Sequence, residues 1–149
     1  MLKDLIREDT FLEDVACDDW REVVETAGGL LVKNGDVTPE FLRSIEETVE
    51  EFGAYMVLID DIAFFHGRPE AGVNNVSMSL VLLRQPVYLK EKRIKAAFVF
   101  AAPSKDGHIE LLRELAERLQ EEEFVELLRG GGNKEAILKK LSESAQNAD

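Results

Sequence analysis

Cysteine, histidine and positive charge are all scarce in this chain of 149 residues. The single cysteine, Cys17, excludes an internal disulfide and fits a reducing compartment. Only 18 lysines and arginines face 30 aspartates and glutamates, which gives a formal net charge of −12. Duplex nucleic acid and anionic membrane surfaces are therefore not expected as partners, whereas a basic partner protein is favoured.

Long apolar runs and targeting signals are also missing. No run approaches the roughly 20 residues that cross a bilayer, and the N-terminus lacks the pattern of a signal peptide. The chain has no glycine-rich phosphate loop, which argues against a nucleotide-dependent kinase or GTPase. We therefore expect a soluble cytoplasmic protein, with a single domain over 1–149 that ends in a frayed tail at 143–149.

Helical and strand patterns alternate along the chain. N-cap signals predict that helices begin after Asp19 and Thr38, and a third long helix is expected from Ile109, with Leu112 and Leu115 on its apolar stripe. Strands are predicted at 54–59, 61–65, 75–83, 87–89 and 95–102, with Gln85 and Pro86 interrupting the pattern. This order indicates an α/β sandwich with a mixed central sheet.

His66 follows a predicted strand and begins a loop. A side chain at such a junction is held by a rigid element and still reachable from outside. Neutral imidazole is a competent nucleophile near neutral pH. Gly67 leaves room for a bulky group, and Arg68 carries a permanent positive charge suited to phosphate oxygens.

His108 is the only other histidine and lies at the start of the helix after strand 95–102. If that strand lies beside strand 61–65, both histidines reach the same edge of the sheet. A helix N-terminus carries partial positive charge and free N–H groups that hold anions. Together these features predict transfer of a phosphoryl group onto His66.

Other interpretations of these residues stay open. Either histidine could be structural, and Arg68 could simply pair with Glu70 on the surface. His66 with Asp60–Asp61 could suggest a metal site, although no third ligand follows at a recognisable interval. Cys17 as a nucleophile has even less support, because no motif ties it to a histidine.

Three segments resemble one known family. The segment Ile62–Val73 resembles the "GIALPHARPEDGV" signature of enzyme IIA components of the bacterial sugar phosphotransferase system, in the fructose–mannitol superfamily. The segment Glu50–Val57 resembles "KELGPYIVI" of the ascorbate-type subgroup, and Gly107–Leu112 is similar to a family segment that begins "SHLE". The resemblance extends from about Trp20 to about Leu141.

The resemblance implies a phosphocarrier with a three-layer α/β/α sandwich, the mannitol-type enzyme IIA fold. His66 would accept a phosphoryl group from the histidine-containing phosphocarrier protein and pass it to a cysteine of an enzyme IIB component. A membrane enzyme IIC component would then take up an ascorbate-like sugar. His108 would help to hold the phosphate, with Arg68 and Gly67 as further phosphate-binding residues. No metal or other cofactor is expected, and a homodimer is compatible with the chain.

The sequence departs from the family pattern at several positions. Phe65 replaces the proline before the active histidine, and Asp60–Asp61 replaces a Pro-Gly pair, which would add negative charge near the phosphate. The arginine of fructose–mannitol members corresponds to Val49, and the ascorbate-type subgroup also lacks it. These departures leave two alternatives to transport: a stand-alone regulatory domain whose phosphorylation controls a partner, and a degenerate scaffold that accepts no phosphate.

Overall fold

The computed structural model describes residues 1–104 and 108–147, with side chains as far as 143. Its helices follow the predicted order and carry these bounds: α1 Leu2–Leu5, α2 Trp20–Lys33, α3 Pro39–Phe52, α4 Ile109–Arg118, α5 Glu122–Arg129 and α6 Lys134–Asn147. Short 3₁₀ turns lie at Glu8–Thr10 and Gly53–Met56. None of the helices in the described residues is long and apolar enough to cross a membrane.

The strands of the described residues form one mixed sheet of five, in the order β1-β4-β5-β3-β2. Their bounds are β1 Phe11–Val15, β2 Val57–Ile59, β3 Asp61–His66, β4 Ser77–Leu89 and β5 Lys92–Ala101. The pairs β1–β4 and β3–β5 are parallel, whereas β2–β3 and β4–β5 are antiparallel. The predicted central position of the apolar run before Ala102 is confirmed, because β5 lies between β4 and β3.

Helices cover both faces of this sheet. On one face α2 and α3 pack against residues such as Phe65 and Val99, and on the other α1, α4, α5 and α6 pack against residues such as Phe64 and Phe98. Successive residues of a strand point to opposite faces, so β3 and β5 supply both cores. The three-layer α/β/α sandwich with a mixed central sheet is confirmed.

The two helices of the first layer begin where their sequence signals predict. The Asp19 carboxylate accepts a hydrogen bond from the N–H of Glu22 at 2.9 Å and caps α2. Thr38 occupies the N-cap of α3 and Pro39 its first turn, although the Thr38 hydroxyl makes no capping bond. Gly53 ends α3 with a φ of 67°, a conformation that favours glycine.

Two strand predictions are wrong in their boundaries. The segment 54–56 forms a 3₁₀ turn, so β2 begins only at Val57. Gln85 and Pro86 do not end a strand, because β4 continues to Leu89. Its register with β5 shifts between Leu82 and Val87, and such a bulge accommodates a proline that cannot donate to the ladder.

Two of the later helices differ from the prediction: α4 in its apolar stripe and α6 in where it ends. Ile109 and Leu112 of α4 are exposed, at 67% and 38%, whereas Leu115 is buried. Helix α6 keeps a helical backbone to Asn147, through most of the tail predicted at 143–149. Fraying of that tail stays a prediction, and residues 148–149 lie outside the described part of the chain.

Asp61 is the first residue of β3 and His66 is the last, so the two lie at opposite ends of the strand. The prediction that Asp61 adds negative charge near the phosphate is therefore wrong. Five residues of strand separate the two positions by about 16 Å. The buried carboxylate accepts hydrogen bonds from Arg93 at 2.6 Å and from Arg129 at 3.0 Å. These bonds, Arg93 first, hold the pKa of Asp61 below its ordinary value against the opposing effect of burial.

Asp61, Arg93 and Arg129 form a cluster of charged residues, here called the Asp61 cluster. From this cluster we expect that Asp61→Asn loses stability in a pH-dependent way. Asparagine tolerates the φ of 76° at this position, so the variant tests the charge rather than the backbone. We expect urea unfolding near neutral pH to show a loss of about 1–3 kcal/mol. Because the folded pKa is depressed, the contribution is complete above about pH 4 and is lost as the pH falls further, where variant and wild type converge.

Asp14→Asn is the matched control, since Asp14 also has a positive φ, of 53°, and also pairs with an arginine, Arg84. Its carboxylate is exposed, so a much smaller effect is expected. Equal losses in both variants would contradict the account of the Asp61 cluster.

Candidate functional site

The two histidines reach the same edge of the sheet because β3 and β5 are adjacent and parallel. His66 is the last residue of β3 and pairs in register with Phe100 of β5. Beyond the end of β5 the chain leads to His108, which is the N-cap residue of α4. The predicted meeting of the two histidines is confirmed, and both line one cavity.

His66 is exposed, and a hydrogen bond orients its ring. Its Nδ1 lies 3.2 Å from the carbonyl oxygen of Phe64, two residues earlier in the strand. A carbonyl oxygen can only accept, so this bond assigns the hydrogen of neutral imidazole to Nδ1. The lone pair then lies on Nε2, the nitrogen that the backbone bond leaves available.

His108 is half-buried, and its Nε2 is fully enclosed without a hydrogen-bond partner among the described residues. An enclosed polar atom without a partner is costly unless a ligand or water satisfies it. The residue caps α4 through its backbone carbonyl, which accepts from the N–H of Leu112 at 3.0 Å. The imidazole is not used for capping, but Nε2 is inaccessible to solvent in this conformation, so the ring must move before Nε2 can bind a group that enters the cavity.

Two phenylalanine rings separate the imidazoles. The rings of His66 and Phe64 are 5.6 Å apart, those of Phe64 and Phe100 stack at 5.8 Å, and Phe100 meets His108 edge-on at 6.0 Å. Each phenylalanine is 9% exposed. This row forms an apolar floor with an imidazole at either end.

The cavity is open to solvent and has a volume of about 280 Å³. Its walls come from α3, from the loop after β3 and from the start of α4, and the remaining lining residues are Phe41, Gly67, Pro69, Ala102, Ser104 and Leu112. Among the described residues that line it there is no lysine or arginine. Val49, at the position of the superfamily arginine, is buried in the core beneath α3 instead.

Arg68 does not line the cavity. Its guanidinium donates to the Glu47 carboxylate on α3 at 2.9 Å and lies 4.0 Å from Glu70, so the surface pairing that the sequence left open is present. The Glu47 hydrogen bond holds the pKa of Arg68 above its usual range. The side chain is 51% exposed, so the pair with Glu47 is open to solvent.

Comparison with known proteins decides the family. The profile described as "Phosphoenolpyruvate-dependent sugar phosphotransferase system, EIIA 2" matches residues 4–144. The chain belongs to this enzyme IIA family. The resemblance inferred from the three sequence segments is thereby confirmed, and proteins of this family are phosphotransferases of sugar transport.

Two curated relatives from Escherichia coli strain K12 carry different sugar names. A mannitol-specific cryptic phosphotransferase enzyme IIA component is 32% identical over 112 residues, which covers 74% of this chain and 76% of the relative. An ascorbate-specific enzyme IIA component is 30% identical over 123 residues and covers 80% of each chain.

A solved structure confirms the mannitol-type enzyme IIA fold. The mannitol enzyme IIA of Escherichia coli, in a complex with phosphorylated enzyme IIB, aligns with a TM-score of 0.80 at 21% identity. The alignment covers 93% of this chain and 99% of that one. At this identity the likeness concerns the fold alone.

In this enzyme IIA chain two aromatic residues of the site were not predicted from the sequence. Phe64 and Phe100 form the cavity floor. Phe64 lies two residues before His66, and Phe100 is the partner of His66 in the neighbouring strand. Both positions could have been predicted once β3 and β5 were paired. Ser44 was also missed. It is a polar residue within the apolar stripe of α3, and a fully buried serine there is the signal that points to a specific bond.

Gly67 has a packing role that was not expected, because its small size is required by the helix α3. Its expected role as a phosphate-binding residue stays a prediction. A methyl group on Gly67 would overlap the Ser44 hydroxyl and approach Ile45 Cγ1 to 3.2 Å. The loop after His66 therefore lies directly on α3.

Gly67→Ala is expected to lower the free energy of unfolding by about 1–3 kcal/mol, since buried atoms must shift to admit the methyl group. Gly29→Ala is the control, because its methyl would meet nothing within 4 Å and alanine favours the interior of α2. That variant should gain about 0.5–1 kcal/mol. Urea unfolding measures both, and a Gly67→Ala protein as stable as wild type would contradict the close packing.

Proposed function

We propose that this protein is a phosphocarrier that receives a phosphoryl group on Nε2 of His66 and passes it on during sugar uptake. The observation that carries the proposal is the shared cavity, in which exposed His66 and enclosed His108 flank an apolar floor. Family membership supports the reaction class, and the geometry supports the choice of residue.

The tautomer of His66 suits the reaction. With the Nδ1 hydrogen donated to Phe64, the Nε2 lone pair attacks phosphorus, and the bond between phosphorus and the donor nitrogen breaks. The donor imidazole keeps that electron pair. In the second transfer a thiolate of the acceptor attacks phosphorus, and the electron pair of the broken bond returns to Nε2. Neither step requires a metal or a nucleotide.

Two groups at the cavity would stabilise the negative charge of the phosphoryl group: the His108 imidazole and the N-terminus of α4. Nε2 of His108 has no hydrogen-bond partner among the described residues, and once a movement of the ring exposes it, it can donate to a phosphoryl oxygen when it carries a hydrogen. The first N–H groups of α4 have no partners within the helix, and a helix N-terminus favours an anion. These N–H groups are held in place by the helix before the phosphoryl group arrives, which favours transfer electrostatically.

The partners follow from the chemistry and from the relatives. We assign the donor to the histidine-containing phosphocarrier protein and the acceptor to an enzyme IIB cysteine, in the cytoplasm, with the membrane enzyme IIC served indirectly. The mannitol relative in complex with phosphorylated enzyme IIB supports the acceptor. The net charge of −12 favours basic partner faces and an association rate that falls with salt.

The sugar we propose is ascorbate-like. The segment Glu50–Val57 that resembles the ascorbate-type subgroup supports it, as does the ascorbate-specific relative. A degenerate scaffold has less support than the sequence suggested. Phe65 is fully buried and held in the ladder opposite Val99, and Asp61 is neutralised at the far end of β3.

Replacing each histidine in turn tests the acceptor, because the chain has only two. Wild-type protein incubated with phosphoenolpyruvate, enzyme I and the phosphocarrier protein should gain one acid-labile phosphoryl group by intact mass. His66→Gln should gain none. His108→Gln, the matched variant, should still gain it, at a rate lower by roughly 10- to 100-fold because one stabilising donor is lost. A phosphoryl group that persists in His66→Gln would contradict the proposal.

Arg68 stays a proposed phosphate ligand that must first leave Glu47. Arg68→Ala should slow phosphoryl transfer about tenfold, since a charge-assisted hydrogen bond to the phosphoryl group would be lost. Glu47→Gln should keep or raise the rate, because it releases the guanidinium. Arg113→Ala is the control, as Arg113 is also more than half exposed and forms a local pair with Glu110. Stopped-flow transfer rates unchanged in Arg68→Ala would remove this residue from the mechanism.

A further inference from the structure

Ser44 is a fully buried polar residue on the face of α3 that packs against the sheet. Its neighbours on that face, Phe41 and Ile45, are apolar core residues. The Ser44 hydroxyl donates to the carbonyl oxygen of Phe41, one turn earlier, at 2.7 Å. A serine hydroxyl has one hydrogen, so this bond uses its whole capacity to donate.

The oxygen of the same hydroxyl accepts a hydrogen bond from the loop that follows His66. The backbone N–H of Arg68 donates to Ser44 Oγ at 3.2 Å. Residue 68 is two positions after His66, so the bond fixes the path of the chain just beyond the nucleophile. It is a contact between elements 24 positions apart rather than a local helical bond.

Close approach accompanies this bond, since a methyl group on Gly67 would overlap Ser44 Oγ. Phe41, Gly67 and Pro69 all line the cavity beside His66. The hydroxyl therefore joins two cavity walls, one from α3 and one from the loop, through bonds to Phe41 and to Arg68.

We infer that Ser44 is a positioning residue for phosphoryl transfer. It holds the loop at 67–69 against α3, and so keeps the cavity wall and the exit of the chain from His66 in place. It also anchors the backbone of Arg68 whether or not its side chain remains on Glu47. The inference rests on the proposed function and adds to it a residue that does not touch the phosphoryl group.

The competing explanation for the buried hydroxyl is that Ser44 only stabilises its own helix. Thr48 provides the control for this explanation. Thr48 Oγ1 donates to the carbonyl oxygen of Ser44 at 2.7 Å, a bond of the same kind one turn later in α3. Thr48 is half-buried and is not among the residues that line the cavity. Ser44→Ala and Thr48→Val each remove one hydroxyl that bonds to the helix, and only the first removes a bond to the loop.

Transfer kinetics separate the two explanations. Ser44→Ala should lower kcat for phosphoryl transfer roughly 3- to 10-fold, the equivalent of one hydrogen bond, and leave KM for the donor protein unchanged. Thr48→Val should transfer at the wild-type rate. A wild-type kcat in Ser44→Ala, or an equal decrease in both variants, would overturn the inference.

Amide hydrogen exchange provides a readout that does not depend on phosphoryl transfer. In Ser44→Ala the Arg68 amide should exchange roughly 3- to 10-fold faster. The Leu112 amide, which donates to His108 in another wall of the cavity, should not change. Unchanged exchange at Arg68 with normal transfer would overturn the role of Ser44 alone. Wild-type protein that accepts no phosphoryl group would instead overturn the proposed function, and with it any role of Ser44 in transfer.

Discussion

The parallel pairing of β3 with β5 is the constraint on which the site depends. It sets His66 opposite Phe100 and brings the carboxyl ends of both strands to one edge of the sheet, where the chain turns toward α4. Ligands of α/β sheets commonly bind outside the carboxyl ends of parallel strands. A slip of one residue would turn His66, together with Phe64, toward the core beneath α2 and α3. It would also exchange residues of different size between the two packed cores, and this mismatch makes the slip costly.

Among the described residues, the cavity formed at this edge has little charge. Its described lining consists of two imidazoles, small or apolar side chains and one serine, while the nearby arginine is held on α3 by Glu47. A phosphocarrier must give up its phosphoryl group as readily as it accepts it. A site with several fixed cations would hold the dianion too firmly, whereas imidazoles and a helix N-terminus stabilise it moderately. The low charge of the described lining is thus consistent with the proposed transfer in both directions.

Much of this arrangement was open to prediction from the sequence. The alternation in β4, the apolar run of β5 and the caps of α2 and α3 are local signals, and they predicted the layers of the fold. The meeting of His66 with His108 needed only the additional assumption that two strands are neighbours. Pro86 did not mark the end of a strand, because a bulge, which depends on the partner strand, decides whether a proline ends a strand.

The partners of the charged side chains could not be predicted from the sequence, because they depend on distances between helices and strands. Nothing local to Arg68 indicates that Glu47 binds it, and the charge of Asp61 could not be placed without the positions of Arg93 and Arg129. The packing role of Gly67 was not predicted, because it depends on a distant residue. The close approach of Ser44, 23 positions earlier in the sequence, explains its small size.

The nitrogen that carries the phosphoryl group is the most direct test of this account. Phosphorylated protein labelled with ¹⁵N in its histidines can be examined by NMR for coupling between phosphorus and each imidazole nitrogen. The account predicts coupling to Nε2 of His66, with a hydrogen retained on Nδ1 and bonded to Phe64. Coupling to Nδ1 of His66, or to either nitrogen of His108, would contradict it.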